Sequence, residues 1–191
     1  MDGTAASLAA YGKMLGASSV ISGVVPQISV IAGTCAGTAA MLACSSDFVI
    51  MTKESEFFMA PNSSSGSAEA AAKSGIASAV CDDDKAAIEK ARDLVNILPV
   101  NNLAPVPMFE FAENSPVSGT DLKSIINSAA DADSEIEISA EFGNASYTGF
   151  VTIGGATAGI AAAGKEGSKL NSDDCAKLAR FMSCLLYTSD A

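Results

Sequence analysis

The sequence contains no histidine, and this absence excludes more chemistry than any residue present suggests. Without imidazole there is no Ser-His-Asp or Cys-His catalytic machinery and no histidine ligand for a metal. The five cysteines form no C-x-x-C pair, so a zinc site would need four scattered thiolates to converge, and no metal site is expected. Spacing of this kind fits reduced, buried thiols. Any reaction must therefore use carboxylates, lysines, hydroxyl groups or backbone amides.

Basic residues are also scarce, with 11 Lys and Arg against 22 Asp and Glu, so that the net charge is −11. A duplex nucleic acid is not an expected partner, because binding phosphates requires clustered Lys and Arg. No secretory signal opens the chain, and we therefore expect a cytoplasmic protein. Hydrophobic residues make up 49% of the sequence and charged residues 17%, which is typical of a folded protein with a core.

No charged residue lies between Met14 and Ser46, which raises the possibility of a membrane span. This stretch is interrupted by several glycines, by Pro26 and by Gln27, whereas a lipid-exposed helix needs about 20 mostly apolar residues. The β-branched residues that follow Pro26 favour a buried strand between two helices.

The apolar periodicity indicates an α/β fold. The first half is predicted to form a helix, a strand, a tight glycine turn, a second helix and two short strands, at 4–22, 24–32, 33–38, 39–44, 47–51 and 56–59. The second half is predicted to contain helices, a strand and a β-hairpin, at 68–73, 85–97, 121–128, 135–140, 147–162 and 173–181. Asp82, Asp83 and Asp84 precede a helix, where capping is the favoured interpretation and a divalent metal the alternative.

The glycine turn, Gly33-Thr-Cys-Ala-Gly-Thr38, matches neither a G-x-G-x-x-G fingerprint nor a phosphate-binding loop. In the structural interpretation its glycines permit a positive φ or close packing of the strand against the helix. In the functional interpretation it is an oxyanion hole, because a turn that enters a helix leaves backbone N–H groups unpaired. Such donors stabilise the negative charge of a thioester enolate and require no histidine.

Specific stretches resemble the biotin-dependent acyl-CoA carboxyltransferase subunits. They are SGVVPQISVIAGTCAGTAA at 22–40, SDFVIM at 46–51, GFVTIGG at 149–155 and KLARFMSC at 177–184. The family includes the carboxyltransferase subunits of propionyl-CoA carboxylase, of transcarboxylase and of sodium-pumping methylmalonyl-CoA decarboxylase. The likeness covers nearly all of residues 4–184 in the family's order.

The resemblance implies ClpP/crotonase-like domains built from repeated ββα units. Residues 1–98 would form the end of a first, acyl-CoA-binding domain, 99–116 a proline-rich linker, and 117–184 the start of a second, biotin-side domain. The implied activity is carboxyl transfer between carboxybiotin and an acyl-CoA of the propionyl- or methylmalonyl-CoA type. The biotin would be carried by a separate carrier protein. Further implied partners are a biotin carboxylase or membrane decarboxylase subunits, and the full-length protein would be a homo-oligomer.

By the same resemblance, the oxyanion amides fall at Gly37 and Thr38, and the substrate-binding residues at Gly33, Cys35 and Ala36. The family has a second glycine where this chain has Thr38. Threonine still supplies an N–H, but its β-branch crowds the approach.

The likeness also implies that the chain begins inside the first domain and ends before the glycine turn of the second, so the fragment alone is expected to be inactive. After Cys184 the family continues C-D-x-F, whereas residues 185–191 read LLYTSDA. We expect this tail to be artefactual and foreign to the fold.

Two other functions remain open at this stage. One is a truncated or degenerate subunit that serves assembly only, with Thr38 marking a lost site. The other is a hydratase-like crotonase enzyme, which would need a carboxylate base such as Glu54, Glu56 or Glu69. The direction of the reaction is open too, since a carboxylase and a decarboxylase would use the same chemistry.

Overall fold

The computed structural model describes residues 5–60, 66–114, 119, 121–164 and 168–188 of the chain. Helices and strands alternate along these residues, as an α/β fold requires. In chain order the elements are α1 (Ala5–Ile21), β1 (Ile28–Ile31), β2 (Thr34–Ala36), α2 (Thr38–Cys44), β3 (Phe48–Thr52), β4 (Glu56–Phe58), α3 (Ala68–Lys73), β5 (Ala79–Cys81), α4 (Asp84–Ile97), α5 (Leu122–Ala129), β6 (Ile136–Glu137), β7 (Ser146–Ile153), β8 (Ala156–Ala163) and α6 (Ser172–Thr188).

The strands form three small sheets. A parallel sheet has the order β1-β3-β5, a second parallel sheet pairs β2 with β4, and an antiparallel sheet has the order β6-β7-β8. The first two sheets contain the strand–helix crossovers of an α/β fold, because parallel neighbours cannot be joined by a tight turn. The third contains the predicted hairpin, with Ile153 opposite Ala156 at its turn.

Strand β3 is buried at every position and contributes to two hydrophobic clusters. Val49 and Met51 belong to the first cluster, together with small residues of α2 and α3 such as Ala40 and Ala71. Phe48 and Ile50 belong to the second cluster. Successive side chains of a strand point to opposite faces, so β3 holds a different layer on each side.

The second cluster joins the two predicted domains. Leu94 and Ile97 of α4 contribute to it from the first domain, and Ile138 from the second. At its centre the ring of Phe150 lies 5.9 Å from that of Phe48 and 5.2 Å from that of Phe181. The N–H of Ser139 also donates to the carbonyl of Ser78 at 2.7 Å. The two units therefore share one core within this chain.

Most local predictions from the sequence agree with the structure. The helix at 68–73 has the predicted bounds, and α4 begins one residue before the predicted start. Asp83 caps α4 by accepting the N–H of Ala86 at 2.8 Å, which confirms capping for this residue. Asp82 instead forms an ion pair with Lys53 on the surface.

Other boundaries differ from the predictions. The strand expected at 24–32 is confined to Ile28–Ile31, and the one expected at 135–140 to Ile136–Glu137. Residues 34–36, expected as part of a turn, form β2 because they pair with β4. The described part of the predicted linker, 99–114, contains no helix or strand beyond an isolated bridge from Met108 to Ala156. Residues 115 and 116 lie outside the described residues.

A buried carboxylate holds the turn between β7 and β8. Asp131 accepts hydrogen bonds from the N–H groups of Gly154 and Gly155, at 2.9 and 2.7 Å, and from the hydroxyl of Thr152 at 2.7 Å. Burial acts to raise the pKa of Asp131, but these hydrogen bonds outweigh it, so the pKa is lowered. The hairpin turn is therefore fixed by a residue about twenty positions earlier in the chain.

The expectation that residues 185–191 are foreign to the fold is wrong for Leu185. Helix α6 continues to Thr188, and Leu185 is half-buried and packs against the second cluster. Its side chain lies over Gly159 of β8, where an added Cβ would come within 2.6 Å of a Leu185 methyl carbon. Residues 189–191 lie outside the described residues.

The uncharged stretch from Met14 to Ser46 is divided among α1, β1, β2 and α2. No helix in the described part of the chain combines the length and the apolar character needed to cross a membrane.

We predict that Phe150→Ala destabilises both units together, by about 3–5 kcal/mol, because its ring joins residues from each side of the shared cluster. Hydrogen exchange of peptides from α4 and from β7 is the appropriate measurement. If protection falls in β7 alone while α4 keeps its wild-type protection, the shared cluster does not couple the two units.

Leu185→Ala should lower the free energy of unfolding by about 1–2 kcal/mol, since a half-buried leucine loses part of its packing. The matched control is Leu170→Ala, whose side chain is 50% exposed and which should change stability by no more than about 0.5 kcal/mol. Equal midpoints of chemical unfolding for the two variants would restore the interpretation that residues from 185 onward are foreign to the fold.

Candidate functional site

The glycine turn is built by the pairing of β2 with β4. The register places Thr34 opposite Glu56, Cys35 opposite Phe57 and Ala36 opposite Phe58. At one end the N–H of Glu56 donates to the carbonyl of Gly33 at 3.1 Å. At the other end the N–H of Gly37 donates to the carbonyl of Phe58 at 2.8 Å. The turn is thus attached to β4 at both ends.

Gly37 connects β2 to α2 in a conformation that requires glycine. Its φ is 61° and its ψ is −123°, and it is the N-cap residue of α2 without a side-chain capping bond. A Cβ added there would meet no atom within 4 Å, so the requirement concerns the backbone rather than the available space. Thr38, half-buried, is the first helical residue.

The interpretation that both oxyanion amides are unpaired is wrong for Gly37, because its N–H is bonded to Phe58. The N–H of Thr38 has no acceptor among the residues that the structure describes. The first N–H groups of a helix have no partner within the helix, and they lie at the positive end of its dipole. One of the two predicted donors therefore remains available, and its catalytic role stays a prediction.

The predicted substrate-binding residues lie next to this donor. Gly33 is exposed, whereas Cys35 and Ala36 are half-buried within β2. Burial raises the pKa of the Cys35 thiol, and the neighbouring Cys44 raises it further. Because a raised pKa leaves the thiol protonated at neutral pH, Cys35 is poorly suited to act as a nucleophile. Backbone donors remain the chemistry that the turn offers.

Two of the candidate carboxylate bases form side-chain hydrogen bonds. Glu69 on α3 accepts from Lys73 at 2.5 Å, and this hydrogen bond lowers the pKa of Glu69. Glu56 accepts from the hydroxyl of Thr34 at 3.0 Å, beside the glycine turn. No group of three or more cysteine and acidic residues suited to a metal ion occurs in the described ranges.

Sequence reasoning missed two residues that shape the turn, Thr34 and Phe58. Their contribution depends on the parallel pairing of segments separated by some twenty residues, and no local pattern indicates it. The predicted strand at 56–59 was a signal for this pairing, since the edges of a short strand need to be paired or covered.

Comparison with known proteins gives a family match over most of the chain. The sequence model described as "Carboxyl transferase domain" matches residues 1–187. The chain is 31% identical over 185 residues to the propionyl-CoA carboxylase beta chain of Roseobacter denitrificans, covering 82% of this chain and 36% of that protein. It is 33% identical over 183 residues to the methylmalonyl-CoA carboxyltransferase 12S subunit of Propionibacterium freudenreichii subsp. shermanii, covering 82% and 35%.

The fold is similar to that of a solved structure from the same group. The crystal structure of transcarboxylase 12S, described as a hexamer with methylmalonyl-coenzyme A and methylmalonic acid bound, matches with a TM-score of 0.86 and 30% identity. The match covers 95% of this chain and 41% of that one. The crotonase-like α/β fold expected from the resemblance is therefore confirmed. The chain spans about a third of the length of the curated relatives that it matches.

Gly37→Ala should cost about 1–3 kcal/mol of stability, because alanine is strained at the backbone angles of Gly37. Gly33→Ala is the matched control: its added Cβ also meets open space, but its φ lies outside the range that favours glycine. Thermal unfolding of the two variants tests this expectation. A Gly37→Ala protein as stable as Gly33→Ala would show that the turn adopts another conformation. For the same reason Gly37→Val, which adds a β-branch, would not separate catalysis from folding.

Proposed function

The chain belongs to the carboxyl transferase domain family, and on that premise we propose that it is part of a subunit that transfers a carboxyl group between carboxybiotin and an acyl-CoA. The relatives named for propionyl-CoA and methylmalonyl-CoA support a substrate of that type. The observation that carries the proposal is the N–H of Thr38 at the start of α2, which has no partner among the described residues and lies within the matched family segment.

The chemistry of the reaction explains why such a donor is needed. When the carboxyl group joins or leaves the carbon next to the thioester, negative charge develops on the thioester oxygen. A backbone N–H that is already oriented stabilises this charge without reorganisation during the reaction. The positive end of the α2 dipole acts in the same direction. Carboxybiotin, held on a separate carrier protein, would supply the carboxyl group in one direction and biotin would accept it in the other. In either direction a proton passes the opposite way, between the biotin nitrogen and the carbon next to the thioester.

We further propose the assembly that the family likeness implies. The partners are a biotin carboxyl carrier protein with a biotin carboxylase or with membrane decarboxylase subunits, and the full subunit forms a homo-oligomer in the cytoplasm. The hexamer named for the transcarboxylase 12S structure supports the oligomer.

The hydrogen bond made by the Gly37 amide favours one alternative function, a subunit without catalytic activity. If catalysis requires two free donors, a turn with one amide bonded to Phe58 and threonine at the next position would be inactive. The protein would then be a non-catalytic subunit that serves assembly only. The two functions predict opposite results when the remaining donor is removed.

Thr38→Pro, in the full-length subunit that carries this chain, removes that donor with little disturbance of the helix. Thr38 is the first helical residue, where proline is well tolerated, and Gly37, at φ 61° and ψ −123°, lies outside the right-handed α region that a following proline disfavours. We expect kcat for carboxyl transfer to fall by roughly 10²–10³-fold, the usual loss for one oxyanion donor. Release of labelled carboxyl from carboxybiotin onto acyl-CoA measures it.

Two control variants keep the N–H. Thr38→Ala should retain activity, and Thr38→Gly should be neutral or more active, since it restores the family residue and removes a β-branch. Wild-type turnover in a correctly folded Thr38→Pro protein would exclude the oxyanion role. A wild-type subunit that assembles normally but transfers no carboxyl group would support the assembly function instead.

A further inference from the structure

We propose that the side-chain pair formed by Thr34 and Glu56 is a positioning device for the Thr38 donor. This inference rests on the proposed function, because it assigns a purpose to the pair only if the Thr38 N–H binds the reacting oxygen. We assign neither side chain a direct contact with that oxygen. Their effect would pass through the backbone of the turn.

Few contacts hold the glycine turn in place. Strands β2 and β4 are three residues long each, and they form a sheet of only two strands. A two-stranded sheet of this size is marginal by itself. The orientation of the backbone from Gly37 into α2 therefore depends on each individual contact between β2 and β4.

Of the two strands, β4 is the better anchored. Phe57 is 4% exposed and belongs to the first hydrophobic cluster, and its N–H donates to the carbonyl of Gly66 at 2.6 Å. In β2, Thr34 is exposed and Cys35 and Ala36 are only half-buried. Contacts between the strands thus hold β2 against an element that the core already fixes.

These contacts lie at the two ends of the short sheet. At the far end, the Gly37 N–H reaches the Phe58 carbonyl at 2.8 Å, one residue before the Thr38 donor. At the near end, the Thr34 hydroxyl donates to a Glu56 carboxylate oxygen at 3.0 Å, between residues that are directly opposite in the register. The side-chain bond adds to the backbone bond from the Glu56 N–H to the Gly33 carbonyl at this end, and in the proposal the two together restrict how far Ala36 and Gly37 move relative to Phe58.

Loss of the pair should affect turnover more than substrate binding. The Thr38 N–H acts on charge that develops during the reaction, so a small displacement weakens the transition state more than the bound substrate. One cross-strand side-chain pair contributes a small stabilising free energy. If all of it were lost from the transition state, the rate would fall roughly two- to fivefold. We therefore expect kcat to fall by about that factor with an unchanged KM.

The test compares Thr34→Val, which keeps the shape but removes the hydroxyl, with Thr34→Ser, which keeps the hydroxyl. On the other strand, Glu56→Leu removes the acceptor and Glu56→Gln retains one. All are made in the full-length subunit, where kcat and KM are measured together with hydrogen exchange of a peptide that contains residues 33–38. The control for loss of a surface carboxylate is Glu89→Ala on α4, which is remote from the turn in the sequence and whose side chain is 60% exposed.

If the pair positions the donor, Thr34→Val and Glu56→Leu each lower kcat roughly two- to fivefold, speed exchange at 33–38 and leave KM unchanged. Thr34→Ser, Glu56→Gln and Glu89→Ala should match the wild type, and the double variant Thr34→Val/Glu56→Leu should be no worse than either single one. Wild-type kcat in Thr34→Val, when Thr38→Pro has lost activity, overturns the positioning role and leaves the proposed function intact. Wild-type kcat in Thr38→Pro removes the proposed function and this inference together.

Discussion

Burial of β3 on both of its faces is the constraint on which the rest of the structure depends. Val49 and Met51 face the alanine-rich layer of α2 and α3, and Phe48 and Ile50 face the layer that contains α4 and the aromatic rings of the second unit. An unpaired polar group at these four positions would be costly, since both layers are apolar. The apolar run from Phe48 to Met51 follows from the central place of the strand in the β1-β3-β5 sheet, and the strand ends at the buried Thr52.

The candidate site takes its position from this strand. Helix α2 contacts β1 and β2, and its small residues Ala40 and Ala43 belong to the same hydrophobic cluster as Val49 and Met51 of β3. The start of α2 follows β2 directly, a few residues beyond the carboxyl end of β1, and ligands usually bind outside the carboxyl ends of the strands in α/β folds. The two central amides of the turn differ in their hydrogen bonding. The N–H of Gly37 donates to the carbonyl of Phe58, and the N–H of Thr38 has no acceptor among the described residues.

The shared core packs the two units against each other. The contact between Phe150 and Phe48 links the β7–β8 hairpin to the β1-β3-β5 sheet, and the ring of Phe181 on α6 lies against that of Phe150. At the amino end of α6, Asp174 is buried and accepts the N–H of Ala145 at 2.9 Å.

The sequence by itself determined the local elements and the family. Apolar periodicity and capping residues act over a few positions, so α3, α4 and the hairpin could be predicted closely, and the family stretches indicated the crotonase-like fold. Only the tertiary structure decided that residues 34–36 form a strand, that Phe58 occupies the Gly37 amide, that Asp131 holds the Gly154-Gly155 turn and that Leu185 belongs to the core. Each of these depends on groups brought together from about twenty or more residues apart, and the free energy of such contacts comes from burial and pairing that no short window of sequence contains.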